Sequence, residues 1–222
     1  MSLVHQYTFD TADFTEFDER VMVNPPSSIY LAPQAAHDGS CGARTVSTDC
    51  QKAAYAHDYW DSGLSTMVLR FWFKHRVGTD EGDWAYVMCW EDVDNNRIGG
   101  IYVIKDGGVN KVFYDDSGSG GVILSPWISG QWYHVQVYRD TIGGAIKVYI
   151  DRVLAAEGTC STDAQGIYAG LYSGTETGIE FDIDTIDVGD SESDILLPVT
   201  YAHSIIGGRN NHDGIFGRVV RG

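Results

Sequence analysis

The sequence predicts an all-β fold in which two antiparallel sheets pack face to face as a β-sandwich, followed by an extended C-terminal arm. Its 222 residues include 26 glycines, 13 tyrosines and 6 tryptophans, a composition typical of many short strands joined by tight turns. No stretch shows a sustained helical period of apolar residues. A chain of this length can form one β-sandwich domain. We therefore predict one domain over residues 1–190 and an arm over residues 191–222.

Residues 131–158 carry the clearest strand pattern in the chain. Two alternating runs meet at Gly143 and Gly144, which supply the positive φ that a tight reversal needs. The two-residue period places one set of side chains on one face of the hairpin: Tyr133, Val135, Val137, Ile146, Val148 and Ile150. It places the alternate set on the other face: Trp132, His134, Gln136, Tyr138, Lys147, Tyr149 and Asp151.

Further strands are predicted along the whole body of the chain, about a dozen in total. The strongest covers residues 65–76, where Met67, Leu69, Phe71 and Phe73 should face the core. The others are predicted at residues 3–9, 85–90, 97–105, 111–114, 122–124, 165–172 and 178–188. Residues 24–53, which contain Pro25-Pro26 and a polar loop, should be the least regular part.

The hairpin resembles a known family. A Trp followed by His-Val, and a second strand ending in aromatic-Ile-Asp at Asp151, resemble the laminin-G-like branch of the concanavalin A-like jelly rolls, although Arg152 replaces the Gly that often follows. The ending GIEFDIDTIDVGD is similar to the final strand of these domains, with Asp184 at their usual acidic position. The resemblance implies a jelly roll, a scaffold that hosts lectins, glycanases, adhesion modules and virion proteins.

Charge and hydropathy exclude several classes of partner. The net charge of −16 argues against nucleic acid and against an anionic membrane, because both need clustered Lys and Arg. No apolar run approaches the roughly 20 residues that span a bilayer, and the N-terminus lacks a secretory signal pattern. We expect no nucleic-acid or membrane partner.

The arm differs from the body in charge and pattern. Residues 195–222 hold three arginines against one aspartate, with short apolar clusters separated by glycines. The arm should either pack along its own sandwich or, the interpretation we favour, dock onto a neighbouring protein subunit. The predicted assembly contacts are Leu197, Tyr201, Ile206, Arg209, Phe216, Arg218 and Arg221.

Glu180, Asp182 and Asp184 are the strongest candidates for catalysis. They alternate along one strand, an arrangement that resembles the carboxylates of laminarinase-like glycoside hydrolases, but Asp184 stands where that family has Glu. We favour a solvent-facing edge strand or a structural ion site, and we predict no catalytic residue.

Asp92, Asp94 and Asn96 place three oxygen-bearing side chains at alternate positions, as calcium loops do. They also lie where a hairpin turn is expected, and Asx residues stabilise such turns. We favour the turn and keep calcium as the one cofactor to consider.

Cysteine and histidine patterns give no zinc site and no nucleophilic triad. Cys41 and Cys50 are close enough in sequence to bridge one loop, and that question stays open. The pairs His37-Asp38, His57-Asp58 and His212-Asp213 should not form acid-base relays, because neighbours in an extended chain point to opposite faces.

Four aromatic residues form the candidate ligand surface. Trp72, Tyr86, Trp90 and Tyr102 are predicted on strand faces opposite the core, where rings flanked by Asp and Asn hold sugars in lectin-like sheets. The competing interpretation is a core or subunit-contact role for each ring.

The combined prediction is a non-enzymatic, lectin-like surface subunit, a decoration protein or adhesin, of a larger assembly. The resemblance makes a virion or another extracellular assembly surface the leading setting, since phage virions often display such sandwiches. The arm would anchor the subunit and the aromatic residues would bind glycans. The alternatives are a purely structural subunit and a glycoside hydrolase acting through the carboxylates of residues 180–184.

Overall fold

The computed structural model describes residues 3–9, 13–22, 27–47, 53–76, 80–116, 119–172 and 178–191. In chain order the strands are β1 (Leu3–Tyr7), β2 (Glu19–Met22), β3 (Ser28–Ala32), β4 (Gly42–Ser47), β5 (Ala54–Leu64), β6 (Thr66–His75), β7 (Trp84–Glu91), β8 (Arg97–Asp106), β9 (Val109–Asp116), β10 (Ser119–Leu124), β11 (Tyr133–Asp140), β12 (Ala145–Ile150), β13 (Val153–Gly158), β14 (Ala164–Leu171) and β15 (Ile179–Gly189). A single 3₁₀ turn, Pro33–Ala35, is the one helical element in these ranges. None of their helices is long or apolar enough to cross a membrane.

The strands form two antiparallel sheets, which confirms the predicted sandwich. Sheet A has eight strands in the order β13-β12-β11-β6-β15-β4-β3, with β1 pairing β15 as well. Sheet B has seven strands in the order β10-β9-β8-β7-β14-β5-β2. Strand β4 pairs with the first half of β15 and β1 with its last residues, so the final strand returns to the first as expected.

Alternation placed the core side chains of sheet A correctly. Tyr133, Val135 and Val137 of β11 are buried in the main core between the sheets, as are the alternate apolar residues of β12. The four side chains predicted for β6 are buried there too: Met67, Leu69, Phe71 and Phe73. The tight turn with two-residue periodicity on both sides therefore fixes the register of β11 against β12.

Within residues 24–53, the described residues 27–47 are more regular than predicted. They contain β3 and β4, and β4 pairs with β15 from Ser47 opposite Ile179 to Ala43 opposite Ile183. The β4 sequence GARTVS is polar and resembles a loop. Long-range pairing decides its conformation, because strand preference depends on the neighbouring strands as much as on the residues themselves.

One buried ion pair joins the two sheets through the core. Arg139 of β11 donates to both oxygens of Asp116 of β9, at 2.5 and 3.1 Å, and both side chains are fully buried. The indole nitrogen of Trp90 donates to the same carboxylate at 2.7 Å. Three hydrogen bonds thus satisfy the carboxylate, which the interior requires of a buried charge.

Candidate functional site

Seven aromatic side chains gather on the face of sheet B that points away from sheet A. Their rings form a group separate from the main core, and we call this surface the tyrosine face: Tyr55, Trp84, Tyr86, Tyr102, Phe113, Tyr168 and Tyr172. They come from β5, β7, β8, β9 and β14 and from the residue after β14. Strand alternation sends their neighbours into the core.

Strand register arranges these rings in a row. Tyr86 lies opposite Tyr102, and Tyr102 opposite Phe113, with ring centroids 5.2 and 5.3 Å apart. Gly100 lies beside Tyr86, where a Cβ atom would come within 2.7 Å of the Met88 carbonyl oxygen and 2.9 Å of the Tyr86 ring. Glycine at this position lets the rings pack closely against the sheet.

A buried carboxylate, Glu91, lies at the end of β7 beside the rings of the tyrosine face. Glu91 is fully buried and accepts hydrogen bonds from Nε2 of His57 and from the phenol of Tyr168. The His57 ring stacks on Tyr168 with centroids 4.4 Å apart. Gly166 lies opposite Glu91, and a Cβ there would fall 2.4 Å from Glu91 Oε1. We call Glu91, His57 and Tyr168 the Glu91 cluster.

Asp115, Tyr86 and Arg97 form a second hydrogen-bonded group on the tyrosine face. Asp115 accepts from the Tyr86 phenol and from Nη1 of Arg97, whose two contacts measure 3.0 and 3.2 Å. The Arg97 guanidinium also lies 4.2 Å from the centre of the Tyr86 ring, a cation-π distance. This group therefore carries one cation and one carboxylate in direct contact.

Burial raises the pKa of several phenols of this face, which keeps them protonated at neutral pH. Burial, followed by the hydrogen bond to Glu91, raises the pKa of Tyr168 well above its usual value. Burial and the hydrogen bond to Asp115 do the same to the pKa of Tyr86, and burial raises the pKa of Tyr102. The face thus offers apolar rings, donors and locally paired charges, the features that hold a sugar by stacking and edge hydrogen bonds.

The four aromatic residues predicted to form one ligand surface do not lie together in the structure. Tyr86 and Tyr102 lie on the face opposite the core as expected, but Tyr86 is buried there and Tyr102 is half-buried. Trp90 was placed wrongly, because it is fully buried in the core. Between Tyr86 and Met88 the β7 register shifts by one residue against β8, a bulge that reverses the alternation. Cys89 instead joins the aromatic group, and burial raises its pKa.

Trp72 belongs to a different surface. It lies on the outer face of sheet A, where its ring stacks on His37 with centroids 3.6 Å apart and tilts towards His134 at 4.9 Å. It therefore cannot contribute to the same site as Tyr86 and Tyr102, since the whole sandwich lies between them.

The carboxylates of β15 have structural partners. Asp182 is fully buried and contacts Arg44 Nε at 2.8 Å, Lys74 Nζ at 2.9 Å and Arg76 Nε at 2.7 Å. Burial alone would raise its pKa, but the three cations outweigh burial and lower the pKa below its usual value. A general acid needs the opposite shift.

The other two carboxylates of β15, Asp184 and Glu180, also have partners within the protein. Asp184 accepts from the backbone N–H groups of His37, Asp38 and Thr185 at 2.7, 3.0 and 2.8 Å. Glu180 lies 3.4 Å from Arg44 and 3.6 Å from Arg76. The expectation of an edge strand was wrong, because β15 lies between β6 and β4. The partners found for its three carboxylates in the described residues are protein cations and backbone N–H groups, and a bound structural ion stays a prediction.

The Asp92–Asn96 segment has the contacts of a turn. One oxygen of Asp92 accepts from the backbone N–H groups of Asp94 and Asn96, each at 2.9 Å, and Asn95 adopts a left-handed φ of 60°. Within the described ranges no group of three or more His, Cys, Asp or Glu side chains could hold a metal ion. Calcium binding by Asp92, Asp94 and Asn96 stays a prediction.

Other candidates resolve in different ways. His57 and Asp58 point to opposite faces as predicted, since Asp58 bonds Tyr7 and Trp60 on the core side. The prediction for His37-Asp38 was wrong: Nδ1 of His37 lies 2.7 Å from Asp38, because the chain bends there instead of extending. Cys41 is a free cysteine, and Cys50 lies outside the described residues.

Several predictions concern residues that the structure does not describe. His212-Asp213 and all of the arm beyond residue 191 lie outside the described ranges. So do the seven predicted assembly contacts Leu197, Tyr201, Ile206, Arg209, Phe216, Arg218 and Arg221, which stay a prediction.

Sequence reasoning missed the Glu91 cluster altogether. His57 lies on β5, a strand that was not predicted, and Glu91 ends β7 after the bulge. Their separations in sequence are 34 residues for His57 to Glu91 and 77 for Glu91 to Tyr168. The one usable signal was the alternation of Tyr55, His57 and Tyr59 with Ala54, Ala56 and Trp60, which Asp58 interrupts.

Comparisons with known proteins identify the fold and nothing finer. No family model and no curated protein matches the sequence. Among solved structures, the endo-β-1,4-glucuronan lyase of the fungus Trichoderma reesei is similar with a TM-score of 0.65 at 11% identity, over 87% of this chain and 98% of that one.

Two further structures share the sandwich. A carbohydrate esterase from the Shiga toxin-encoding bacteriophage phi24B has a TM-score of 0.61 at 11% identity, over 84% of this chain and 97% of that one. Another is domain 4 of AbnA, an extracellular arabinanase from Geobacillus stearothermophilus, whose structure was solved with arabinotriose. It has a TM-score of 0.55 at 17% identity, over 87% of this chain and 96% of that one. At these identities the likeness establishes the β-sandwich jelly roll alone.

Proposed function

We propose that this protein binds saccharides on the tyrosine face without cleaving them. The observation that carries the proposal is the row of rings from Tyr86 through Tyr102 to Phe113, flanked by the polar Glu91 cluster on a single sheet face. Aromatic rings stack on the apolar C–H faces of sugars, and polar groups at the ring edges bind hydroxyls.

The charges of the tyrosine face favour neutral glycans. Arg97 is paired with Asp115, so the cation of that group already has a carboxylate partner, and the other carboxylate, Glu91, is buried against His57 and Tyr168. An acidic sugar would also approach a chain of net charge −16. We therefore expect neutral oligosaccharides to bind better than uronic or sulfated ones.

The relatives in fold support a saccharide ligand. A carbohydrate-bound arabinanase domain, a glucuronan lyase and a phage carbohydrate esterase are all built on the same sandwich. The phage esterase also agrees with the proposed setting, in which the protein is a surface subunit of a virion or similar extracellular assembly. In that setting residues 191–222 would hold it to neighbouring subunits.

A glycan array followed by fluorescence titration tests saccharide binding. Tyr102→Ala removes a half-buried ring of the tyrosine face, and Tyr30→Ala, an exposed ring on sheet A, is the matched control. Loss of one stacking contact should weaken binding about tenfold in the first variant and leave the second unchanged. An array without binding, in the presence and in the absence of calcium, would exclude the proposal.

Deletion of residues 195–222 tests the role of the arm. We expect a folded monomeric sandwich that has lost self-association, measured by analytical ultracentrifugation of the full and shortened chains. If the shortened chain unfolds, the segment belongs to the core and the anchoring role is wrong.

The Glu91 cluster supports a second candidate function, glycan cleavage. A buried carboxylate that accepts from a histidine and a phenol is an arrangement that acid-base enzymes use. It suits this role better than β15, where Asp182 is held by three cations.

A reducing-end assay separates binding from cleavage. The protein is incubated with laminarin, agarose or carrageenan, and Glu91→Gln is compared with Glu180→Gln. We expect no turnover in any form. Turnover that Glu91→Gln abolishes and Glu180→Gln preserves would establish the enzyme and contradict the non-catalytic proposal.

A further inference from the structure

The turn between β12 and β13 has an unusual sequence for its geometry. Asp151 and Arg152 connect Ile150 to Val153, which pair directly in the ladder. Both turn residues have positive φ, 49° for Asp151 and 69° for Arg152. Hairpin turns with two positive φ angles favour Asn-Gly or Asp-Gly, because a long side chain is strained there. Folding alone would favour glycine in place of Arg152.

This turn closes one side of a cavity on the outer face of sheet A. The cavity has a volume of about 330 Å³ and is lined by Trp72, His134, Asp151 and Arg152. Trp72 and His134 lie opposite each other on the paired strands β6 and β11. The turn is fixed against this floor, since the His134 N–H donates to Asp151 Oδ1 at 2.9 Å and the Asp151 N–H donates to the His134 carbonyl at 2.8 Å.

The lining offers both kinds of hydrogen-bonding group. Asp151 uses only Oδ1 in the turn, which leaves Oδ2 as an acceptor. Arg152 is exposed and forms no ion pair with any described residue, so the N–H donors of its planar guanidinium can face a ligand. Burial and the charges of Arg70, Arg152 and His37 lower the pKa of His134 to about 4, and its ring is therefore neutral at pH 7.

We propose that Trp72, His134, Asp151 and Arg152 form a second saccharide site, which takes one sugar unit through two neighbouring hydroxyl groups. An acceptor beside a forked donor matches the alternating donor and acceptor character of a vicinal diol, and the Trp72 indole supplies apolar contact. The cavity lies at the lower end of the size range of small-molecule sites, which suits a single pyranose. The site shares no residue with the tyrosine face, so the absence of saccharide binding at one site would not affect binding at the other.

Arg152→Gly tests this site with a substitution that should not harm folding. Binding of methyl glycosides of glucose, galactose, mannose and fucose is followed by NMR shifts of the amides of residues 134 and 151–153. The wild type should show saturable shifts with at least one glycoside, and Arg152→Gly should weaken that binding about tenfold or more. Its melting temperature should rise by about 2 °C or more, because glycine relieves the left-handed strain.

Two further variants complete the test. Asp151→Asn keeps a residue that tolerates the turn but removes the charged acceptor, and it should also weaken binding. Lys147→Ala removes a neighbouring cation of β12 that does not line the cavity, and it should bind like the wild type. Two results would overturn the proposal: a rise in melting temperature with unchanged glycoside binding in Arg152→Gly, or no saturable shift in the wild type. Either result counts whether or not the tyrosine face binds saccharides.

Discussion

The two outer faces of the sandwich combine aromatic rings with ionised groups, but they arrange them differently. On sheet B the rings lie together, and the charges occur as separate small groups around Glu91 and Asp115. On sheet A the charges are concentrated: Asp182 contacts Arg44, Lys74 and Arg76, and Asp187 contacts Arg70 at 3.2 Å. Similar composition therefore gives a layer of packed, partly buried rings on one side and an ionic network on the other.

A short covering segment adds to the difference. Lys74 and Arg76 both donate to the carbonyl of Gln34, at 3.3 and 3.0 Å, and the His37 ring stacks on Trp72. The cations of sheet A thus hold residues 33–38 against the sheet as well as neutralising Asp182. The partners of a carboxylate, more than its exposure or spacing, therefore separate a structural site from a ligand site.

Asp182→Ala should give the largest loss of stability on either face. The substitution leaves Arg44, Lys74 and Arg76 without their shared carboxylate, and breaking a buried pair in this way costs about 3–5 kcal/mol. Urea unfolding measures the change. Glu180→Gln is the control on the same strand, with a partly exposed side chain, and should cost about 1 kcal/mol or less. Equal losses of stability in the two variants would show that Asp182 is no more important to the ionic network than the partly exposed Glu180.

The pH dependence of stability should come mainly from sheet A. Burial lowers the pKa of His75 to about 3, and the pKa of His134 is lowered to about 4. Both histidines protonate near pH 6.5 in the unfolded chain, so between these values the unfolded state binds the proton and the native state does not. Stability is therefore complete above pH 6.5 and falls as pH decreases, by about 1.4 kcal/mol per pH unit for each histidine.

Substitution of each histidine measures its contribution to the pH dependence of the free energy of unfolding. His75→Phe and His134→Gln should each reduce the pH dependence of the free energy of unfolding between pH 6 and pH 5 by about 1.4 kcal/mol per unit. Urea titrations at several pH values provide the measurement. A slope identical to that of the wild type in both variants would show that other groups govern acid unfolding.

Glu91→Gln should destabilise the tyrosine face by an intermediate amount. The amide keeps the shape of the side chain but weakens the hydrogen bonds from His57 and Tyr168, a change of about 1–3 kcal/mol for a fully buried group. The exposed Glu157 of β13 provides the control, and Glu157→Gln should stay within about 0.5 kcal/mol of the wild type. A loss for Glu91→Gln as small as the control would mean that the cluster is not formed as described.

Much of the fold could be predicted because local alternation determines it. Tyr133, Val135 and Val137 were placed correctly since their hairpin is regular from turn to turn. Trp90 was misplaced because one extra residue at the β7 bulge changes which face every later side chain occupies, and the sequence YVMCWE contains no mark of it.

The candidate site was less predictable because it is assembled by pairing of distant strands. Tyr86 and Tyr102 could be found since β7 and β8 form a local hairpin. Glu91 meets His57 and Tyr168 only because β14 lies between β7 and β5 in sheet B. The cations around Asp182 likewise come from β4, from β6 and from the residue after β6, which are brought to β15 by sheet order.

Tyr86→Phe should have the smallest effect, and it tests the comparison most finely. The phenol loses its hydrogen bond to Asp115, but that carboxylate keeps Arg97, so no charge is left without a partner. The expected loss is therefore that of one hydrogen bond, about 1 kcal/mol, against near zero for Tyr102→Phe, whose phenol donates to no described residue. Spectrophotometric titration adds a second readout, because the raised pKa of Tyr86 should delay its ionisation until the protein unfolds in alkali. A cost comparable to that of Asp182→Ala would mean that the charges of sheet B are as interdependent as those of sheet A.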